Sequence, residues 1–549
     1  MASATEDEGD PAPTNTLQRQ RSIRQAVEEG HDADIPSDLG FIPTEEDRER
    51  RRRSIAASHR SKEDPEKGLG PDDKSRGTEE EETDDANIVW WTDDDPENPY
   101  NWPFWTKVIN CALVSLLTFV SPLASSILAP GVGQLMEGFQ SDNNELSSFV
   151  VSVYVLGYAT GPLLIAPLSE IYGRIPVYHI CNLGLVVFTT ACALAPSLTA
   201  LIVFRFLSGT FASCPMTNSG GTIADMIPQE QRGKWMSMYT VGPLFAPIIG
   251  PIAGGFLADA KGWRWTFWII VIVAGVLAVA MLLLARESYA PVILQRRVMR
   301  LRKETGNDML RSKLDAGLSK FDYFKRSIVR PLRMLAKSPI CIIYALYVSI
   351  IYGYLYLLFT SISEVFMNNY FFDDSVVGLV FLGLGVGSLA GLVYFTMTND
   401  RIVRAKSIEN GGPGYKPEDR LAPLPIGAIL LPTGFFIYGW TAQYRVHWIV
   451  PIMSHALIGF GNVLIFMAII TTLVDTFTLY AASALAANTV VRSIFGAVLP
   501  LCGLEMYNDL GIGWGNSLLG FIALAMVPAP WLIMRYGETL RKKYPIKNL

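Results

Sequence analysis

Between residues 108 and 535 the sequence is a succession of apolar runs, each about as long as the roughly 20-residue helix that crosses a bilayer core, separated by shorter polar breaks. Twelve runs can be drawn: 108–129, 146–168, 177–195, 199–222, 235–257, 265–285, 340–366, 375–397, 424–441, 447–471, 480–504 and 515–535. The longest break, 286–339, divides them six and six. This pattern predicts an all-α membrane protein whose twelve transmembrane helices form two six-helix bundles, 101–285 and 340–535. Residues 1–100 have almost no apolar periodicity and are rich in Glu, Asp, Arg, Ser and Pro, so a disordered tail is expected there. A short polar tail, 536–549, follows the last run.

Composition agrees, since 50% of the residues are hydrophobic and only 18% are charged, too apolar a balance for an ordinary soluble protein. The distribution of charge then sets the orientation. Fourteen Lys and Arg fall within 286–339, and further cations, among them Arg174, Arg232, Lys234, Arg401, Arg420 and Arg535, fall in breaks on the same side. The opposite side carries only Lys261, Arg264 and Arg445. By the positive-inside rule, both termini and the central loop are expected in the cytoplasm. The net charge of −5 is dominated by the tail and this loop and says little about partners; no nucleic-acid partner is expected. Six cysteines, at 111, 181, 192, 214, 341 and 502, lie in or beside apolar runs without a CxxC pair, so packed thiols are expected and neither a disulfide framework nor a metal site. Trp102 and Trp105, and the run Trp263–Trp268, suit a membrane interface.

In the fifth run small residues recur every fourth position at Gly242, Ala246, Gly250 and Gly254, a stripe along which a neighbouring backbone can approach closely. Pro243, Pro247 and Pro251 each remove a helical hydrogen bond, which neighbouring helices in a bilayer can compensate. Between the second and third runs, a tight turn at Gly173 would set Glu170 and Arg174 at the cytoplasmic face, able to pair across the two halves in one conformation and separate in another. The fourth run holds Arg205, whose guanidinium needs a cavity or a partner within the membrane. A generic packing helix, a capped turn and a structural interhelical hydrogen bond are the plain alternatives at these three places. No HExxH pair or dinucleotide loop is present; the glycines of Gly383–Gly387 fit close helix packing.

Taken together, Gly250-Pro251-Ile252-Ala253-Gly254-Gly255, Pro167-Leu168-Ser169-Glu170 with Gly173-Arg174, Arg205 with Gly209, Arg286–Pro291 and Tyr480–Thr489 resemble the major facilitator superfamily, and most specifically its fungal drug:proton antiporter-1 family in the polyamine and cycloheximide-resistance branch. The resemblance extends over roughly residues 95–545 and departs from the family pattern at Ala166 and Ile175. It implies two bundles built of inverted three-helix repeats, with substrate bound between them near the midplane. It also implies a non-enzymatic, proton-coupled efflux transporter of small amphipathic organic compounds, such as toxic secondary metabolites or drugs. Gly242, Pro243, Gly250, Pro251, Gly254 and Gly255 then form the antiporter motif, Glu170, Gly173, Arg174 and Arg232 the cytoplasmic gate, and Arg205 and, near the cytoplasmic end of the same helix, Asp225 take part in proton coupling. The energy source would be the proton gradient rather than a cofactor. A monomer in the plasma membrane is expected, with the vacuolar membrane as an alternative. Proton-symport uptake, polyamine or organic-acid export, and a receptor without flux are the competing readings.

The resemblance places the first, fourth, seventh and tenth helices around the cavity, which makes Ser121, Ser125, Asn218, Glu364 and His455 candidate substrate contacts, with Asn488 from the eleventh. Carboxylates are scarce in these helices. A polycation stripped of water would need several, so neutral or weakly anionic substrates are expected.

Overall fold

A computed structural model describes residues 87–92, 94–314, 319–409, 416–477 and 480–543. Contacts group the chain into two units, Met1–Gly77 with Ser407–Gly414 and Thr78–Lys406 with Tyr415–Leu549. Of the first, only the last turn of one helix falls within the described residues. Everything that follows concerns the second.

Its first half consists of α1 (Phe104–Ser126), α2 (Asn144–Tyr172, interrupted at residues 159 and 160), α3 (Arg174–Ala193), α4 (Leu198–Met226), α5 (Gln229–Lys261) and α6 (Arg264–Leu284). The second half begins with α7 (Pro339–Tyr370), α8 (Phe381–Glu409), α9 (Leu424–Gln443) and α10 (Ile449–Thr476). Starts are set by local chemistry: the side chains of Asn143, Ser197 and Ser338 accept from the backbone N–H groups of Leu146, Ala200 and Cys341. Despite three internal prolines, α5 stays helical from end to end. Eleven stretches among the described residues are long and apolar enough to cross a membrane, and the last, Ala481–Arg541, is 61 residues long. Two crossings of a hydrocarbon core need only about 40 residues. It comprises α11 (Ala481–Val498) and, after the turn Leu499–Cys502, α12 (Gly503–Met526), whose own backbone breaks at Gly511, with φ 78° and ψ 162°, so the stretch crosses once before Gly511 and once after it.

Within the first half α5 and α4 pack on α1, α4 also packs on α2 and α3, and α6 packs on α3. In the second half α7 packs on α11, and α9 on α10 and α12. The halves meet where α2 crosses α11 and where α5 meets the turn Asp374–Val377 ahead of α8. Outward faces carry exposed apolar side chains, such as Ile180, Leu183 and Val187 on α3 and Val276, Val279 and Leu283 on α6, as a lipid-facing surface requires. Helices α8 and α10 approach closely at glycine: a β-carbon at Gly383 would lie 2.9 Å from Ile452 Cγ2 and one at Gly459 2.9 Å from Ser388 Oγ.

Four expectations need correction. Residues 87–92 and 94–101 are ordered rather than part of a structureless tail, while residues 1–86 and 93 lie outside the described residues. Ile88–Val89 pairs in parallel with Arg311–Ser312 of the central loop, and Asp95 is paired with Arg297. The sequence hides this because each two-residue strand has no periodicity of its own and its partner lies more than two hundred residues away. The central loop itself is largely helical, as Ala290–Thr305 and Lys320–Lys337. The helix Ala529–Lys543 runs on into the expected polar tail, whose residues 544–549 lie outside the described residues, and Arg541 on it reaches Glu418 at 3.3 Å. Trp102 and Trp263 are buried in the protein rather than placed at the interface, whereas Trp105 is exposed. Of the cysteines, all but Cys502 are buried.

Candidate functional site

At the end of α2 that faces the central loop, Gly173 adopts φ 104°, a backbone that favours glycine, and a β-carbon there would run into the Glu287 carboxylate. Glu287 uses the space to accept from the backbone N–H groups of Arg174 (2.9 Å) and Ile175 (3.1 Å), satisfying the start of α3. The Arg174 guanidinium donates to Asp225 Oδ2 at 3.2 Å and to Ser169 Oγ at 2.8 Å, and stacks over the Tyr289 ring at 4.7 Å. Glu170 acts electrostatically on both Arg174 and Asp225. These groups come from α2, α3, α4 and the start of the central loop, so the network lies within one half instead of bridging the two. Arg232 is in α5, but its side chain falls outside the described residues. Asn218, expected at the substrate, instead accepts from Ser169 Oγ at 3.0 Å and belongs to this cluster.

Arg205 and Asp225 are not brought together. Twenty residues of one helix separate them, roughly 30 Å, and Asp225 has Arg174 as its partner. Arg205 is 1% exposed, and its fork donates to four backbone carbonyls, those of Val150, Ala124, Ser125 and Val151, at 3.0 to 3.3 Å. The rings of Tyr154 and Phe267 cover it at 4.9 and 5.6 Å. The Ala124 and Ser125 carbonyls lie at the end of α1, where they lack helical partners, while those of Val150 and Val151 lie within α2, so the guanidinium ties α1 and α2 to α4. Gly209, one turn on, keeps α4 against α2: a β-carbon there would lie 2.8 Å from the Tyr154 carbonyl carbon.

The α5 stripe faces α1. A β-carbon at Gly250 would lie 3.1 Å from Ile127 N and overlap Ser126 Oγ, and one at Gly254 would lie 2.9 Å from the Ile127 carbonyl carbon and nearer to its oxygen. At Gly242 the nearest atoms are 3.4 Å away, an ordinary contact. Gly255 and Pro251 are buried and Pro243 partly so; the Pro251 carbonyl approaches Gly378, at the meeting of the two halves. The α5 stripe is therefore a close-packing surface at Gly250 and Gly254 and a looser one at Gly242.

The remaining candidates separate into packed and seam-facing groups. Ser121 donates to the Ala212 carbonyl (2.6 Å) and pairs with Tyr158 OH (2.8 Å), inside the first half. His455 is fully buried between Tyr438 and Phe366, ring centroids 4.4 and 6.2 Å away, with no hydrogen bond at either nitrogen. Glu364 is half-buried near the end of α7, away from the central loop. Ser125, by contrast, bonds Tyr356 OH at 3.0 Å, from α1 to α7 across the seam between the halves. The Tyr356 ring lies tilted against that of Tyr352, centroids 5.0 Å apart, and Tyr352 lines a cleft with Val348, Ile351, Asn462, Ile465 and Phe466. These side chains leave no room even for a water molecule between them, against the several hundred Å³ of a site for a drug-sized ligand, so the cleft is closed in this conformation.

Residues 114–500 match the family model described as Major Facilitator Superfamily. The MFS-type transporter tndD of Aspergillus flavipes is 53% identical over 460 residues, which cover 83% of this chain and 86% of that protein. The chain belongs to the major facilitator superfamily. It is a multi-pass membrane transporter and not an enzyme. The efflux pump radE of Floropilus chiversii is 50% identical over 464 residues, 84% of this chain and 86% of that protein. Among solved structures, the D-xylose-proton symporter aligns with a TM-score of 0.59 at 17% identity, over 78% of this chain and 98% of that one, a likeness of fold alone.

One residue of this transporter's seam escapes the sequence reading. Arg492 lies in the middle of α11, one helical turn past Asn488, and its guanidinium stands over Tyr352 at 4.7 Å and Phe466 at 5.3 Å. The signal that singled out Arg205, a lone cation in an apolar run, was equally present in 480–504.

Proposed function

We propose that this transporter exports small amphipathic organic compounds in exchange for protons. The observation that carries the reading is the Gly250–Gly255 stripe, packed backbone to backbone against α1 next to the meeting of the halves, in a chain half identical to a relative named as an efflux pump. The Arg174, Asp225 and Glu170 cluster supplies the gate, its charges held at the face of the central loop. Residues Ser125, Tyr352, Tyr356, Asn462 and Asn488 offer polar and aromatic contacts along the seam, the mixture an amphipathic ligand needs. The proton gradient drives the cycle, both termini and the central loop face the cytoplasm, and a monomer in the plasma membrane suffices.

Inside-out vesicles bearing the full-length chain test this reading. An imposed inward-acidic gradient should drive uptake of labelled amphipathic compounds into the vesicles, and a protonophore should abolish it. Uptake indifferent to the gradient would remove proton exchange from the account.

A further inference from the structure

Asn488, Arg492 and Gly496 recur every fourth position on α11 and share one face. That face looks across the seam: a β-carbon at Gly496 would meet Tyr352 Cδ1 of α7 at 3.0 Å and Val155 Cγ1 of α2, from the other half, at 3.3 Å. Arg492 is only 8% exposed, yet its Nε has no hydrogen-bond partner, and among the described residues no ion pair engages its fork. Asn488 is fully buried, with both its amide oxygen and nitrogen unpartnered. Tyr352 and Phe466, which hold the guanidinium between their faces, both line the closed cleft, and so does Asn462.

A guanidinium at membrane depth that neither pairs nor donates is expensive. Arg205 shows the alternative, with its fork filled by four carbonyls. No carboxylate of the surrounding helices neutralises Arg492. Helix α1 and α11 carry no acidic residue; α7 carries only Glu364, twelve residues and roughly 18 Å along the helix from Tyr352; and α10 carries only Asp475, which pairs with Arg420. The acids of α2 sit at its two ends, Glu145 and Glu170. A planar fork with open donors, walled by two aromatic faces and flanked by two open amide groups, matches a carboxylate, enolate or phenolate attached to a flat apolar body.

We propose that Arg492 and Asn488 form the anion-recognising end of the substrate site, and that the substrates of this transporter are aromatic or conjugated acids in their anionic form. The proposal rests on the transport reading above and adds to it the charge of the cargo. Its test uses full-length protein in liposomes and a panel of flat aromatic carboxylic acids, each beside its uncharged amide, with Arg492→Gln and Arg492→Lys as variants. Wild-type protein should transport acids in preference to amides. Arg492→Gln should lose about ten- to a hundredfold in apparent affinity for the acids and much less for the amides, so that the acid preference disappears, and Arg492→Lys, which keeps the charge, should retain the acid preference at reduced affinity. If wild-type protein moves amides and not acids, the anion site is wrong and the transport reading stands; if it moves no member of the panel, both fall. Equal loss of acid and amide transport in both Arg492 variants, with wild-type melting temperature, would make Arg492 a part of the transport cycle and overturn its role as an anion contact.

Discussion

A single methyl group distinguishes the working positions of the α5 stripe from the permissive one. In Gly254→Ala the new carbon would sit 2.9 Å from the Ile127 carbonyl carbon and closer to its oxygen. Carbon atoms settle at about 3.5–4.0 Å, so α1 and α5 must part by roughly 0.6 Å or more, because the obstacle is backbone and cannot rotate away. Overpacking of this kind costs about 1–3 kcal/mol, against which alanine returns at most about 1 kcal/mol of helix propensity. A net loss of up to roughly 2 kcal/mol is expected. In Gly242→Ala the nearest atoms, Phe119 Cβ and Ser115 O, are 3.4 Å away, and the same propensity gain meets no opposing clash. Thermal melting of the detergent-purified variants should therefore rank Gly254→Ala below wild type and Gly242→Ala level with or above it, and efflux per molecule at the membrane should fall only for Gly254→Ala. Equal behaviour of the two variants would refute the reasoning, since it would show that the contact with Ile127 has no energetic weight.

Three further outcomes follow from the same geometry. Arg205→Ala should lower abundance or melting temperature severely, because four buried carbonyls lose a charged donor worth about 1.5–3 kcal/mol per bond, and Arg205→Lys should recover only part of it, having no planar fork; wild-type stability of the alanine variant would show the clamp to be idle. Burial pushes the Asp95 carboxyl up, but the hydrogen bond and charge of Arg297 and the backbone N–H of Glu97 outweigh it and hold its pKa below the ordinary aspartate value; docking of residues 87–97 on the central loop should thus be fully present above that ordinary value and lost as pH falls through the depressed one, with Arg297→Ala undocking the segment at neutral pH, as read by amide hydrogen exchange. Tags on the two ends should both be protected from external protease in intact cells; cleavage of either would contradict the orientation drawn from the Lys and Arg asymmetry.

The fold was legible because bilayer thickness imposes a run length that any reader of hydropathy can count, and α9 even starts at the expected Leu424. Charge asymmetry likewise survives in a one-dimensional sequence. Partnerships did not. Nothing local to Ile88 announces Arg311, and nothing near Asn218 tells a gate residue from a cavity residue, since Asn218 and Arg205 both sit at buried positions of α4 although only Asn218 joins the Arg174 cluster. The roughly 30 Å between Arg205 and Asp225 follows from their spacing on one helix, but that Asp225 takes Arg174 as its partner does not. Arg492 was within reach: a cation in an apolar run is a local signal, and it was overlooked beside a longer motif that began at Tyr480.

The direction of transport is the claim on which the account turns. It is tested most directly by measuring accumulation of a panel of labelled amphipathic compounds in energised cells that produce the chain and in cells that lack it. The account predicts lower steady-state accumulation of at least one compound in producing cells, restored to the level of the others when the proton gradient is collapsed. Higher accumulation in producing cells, abolished by the same treatment, would contradict it and make this transporter an uptake symporter.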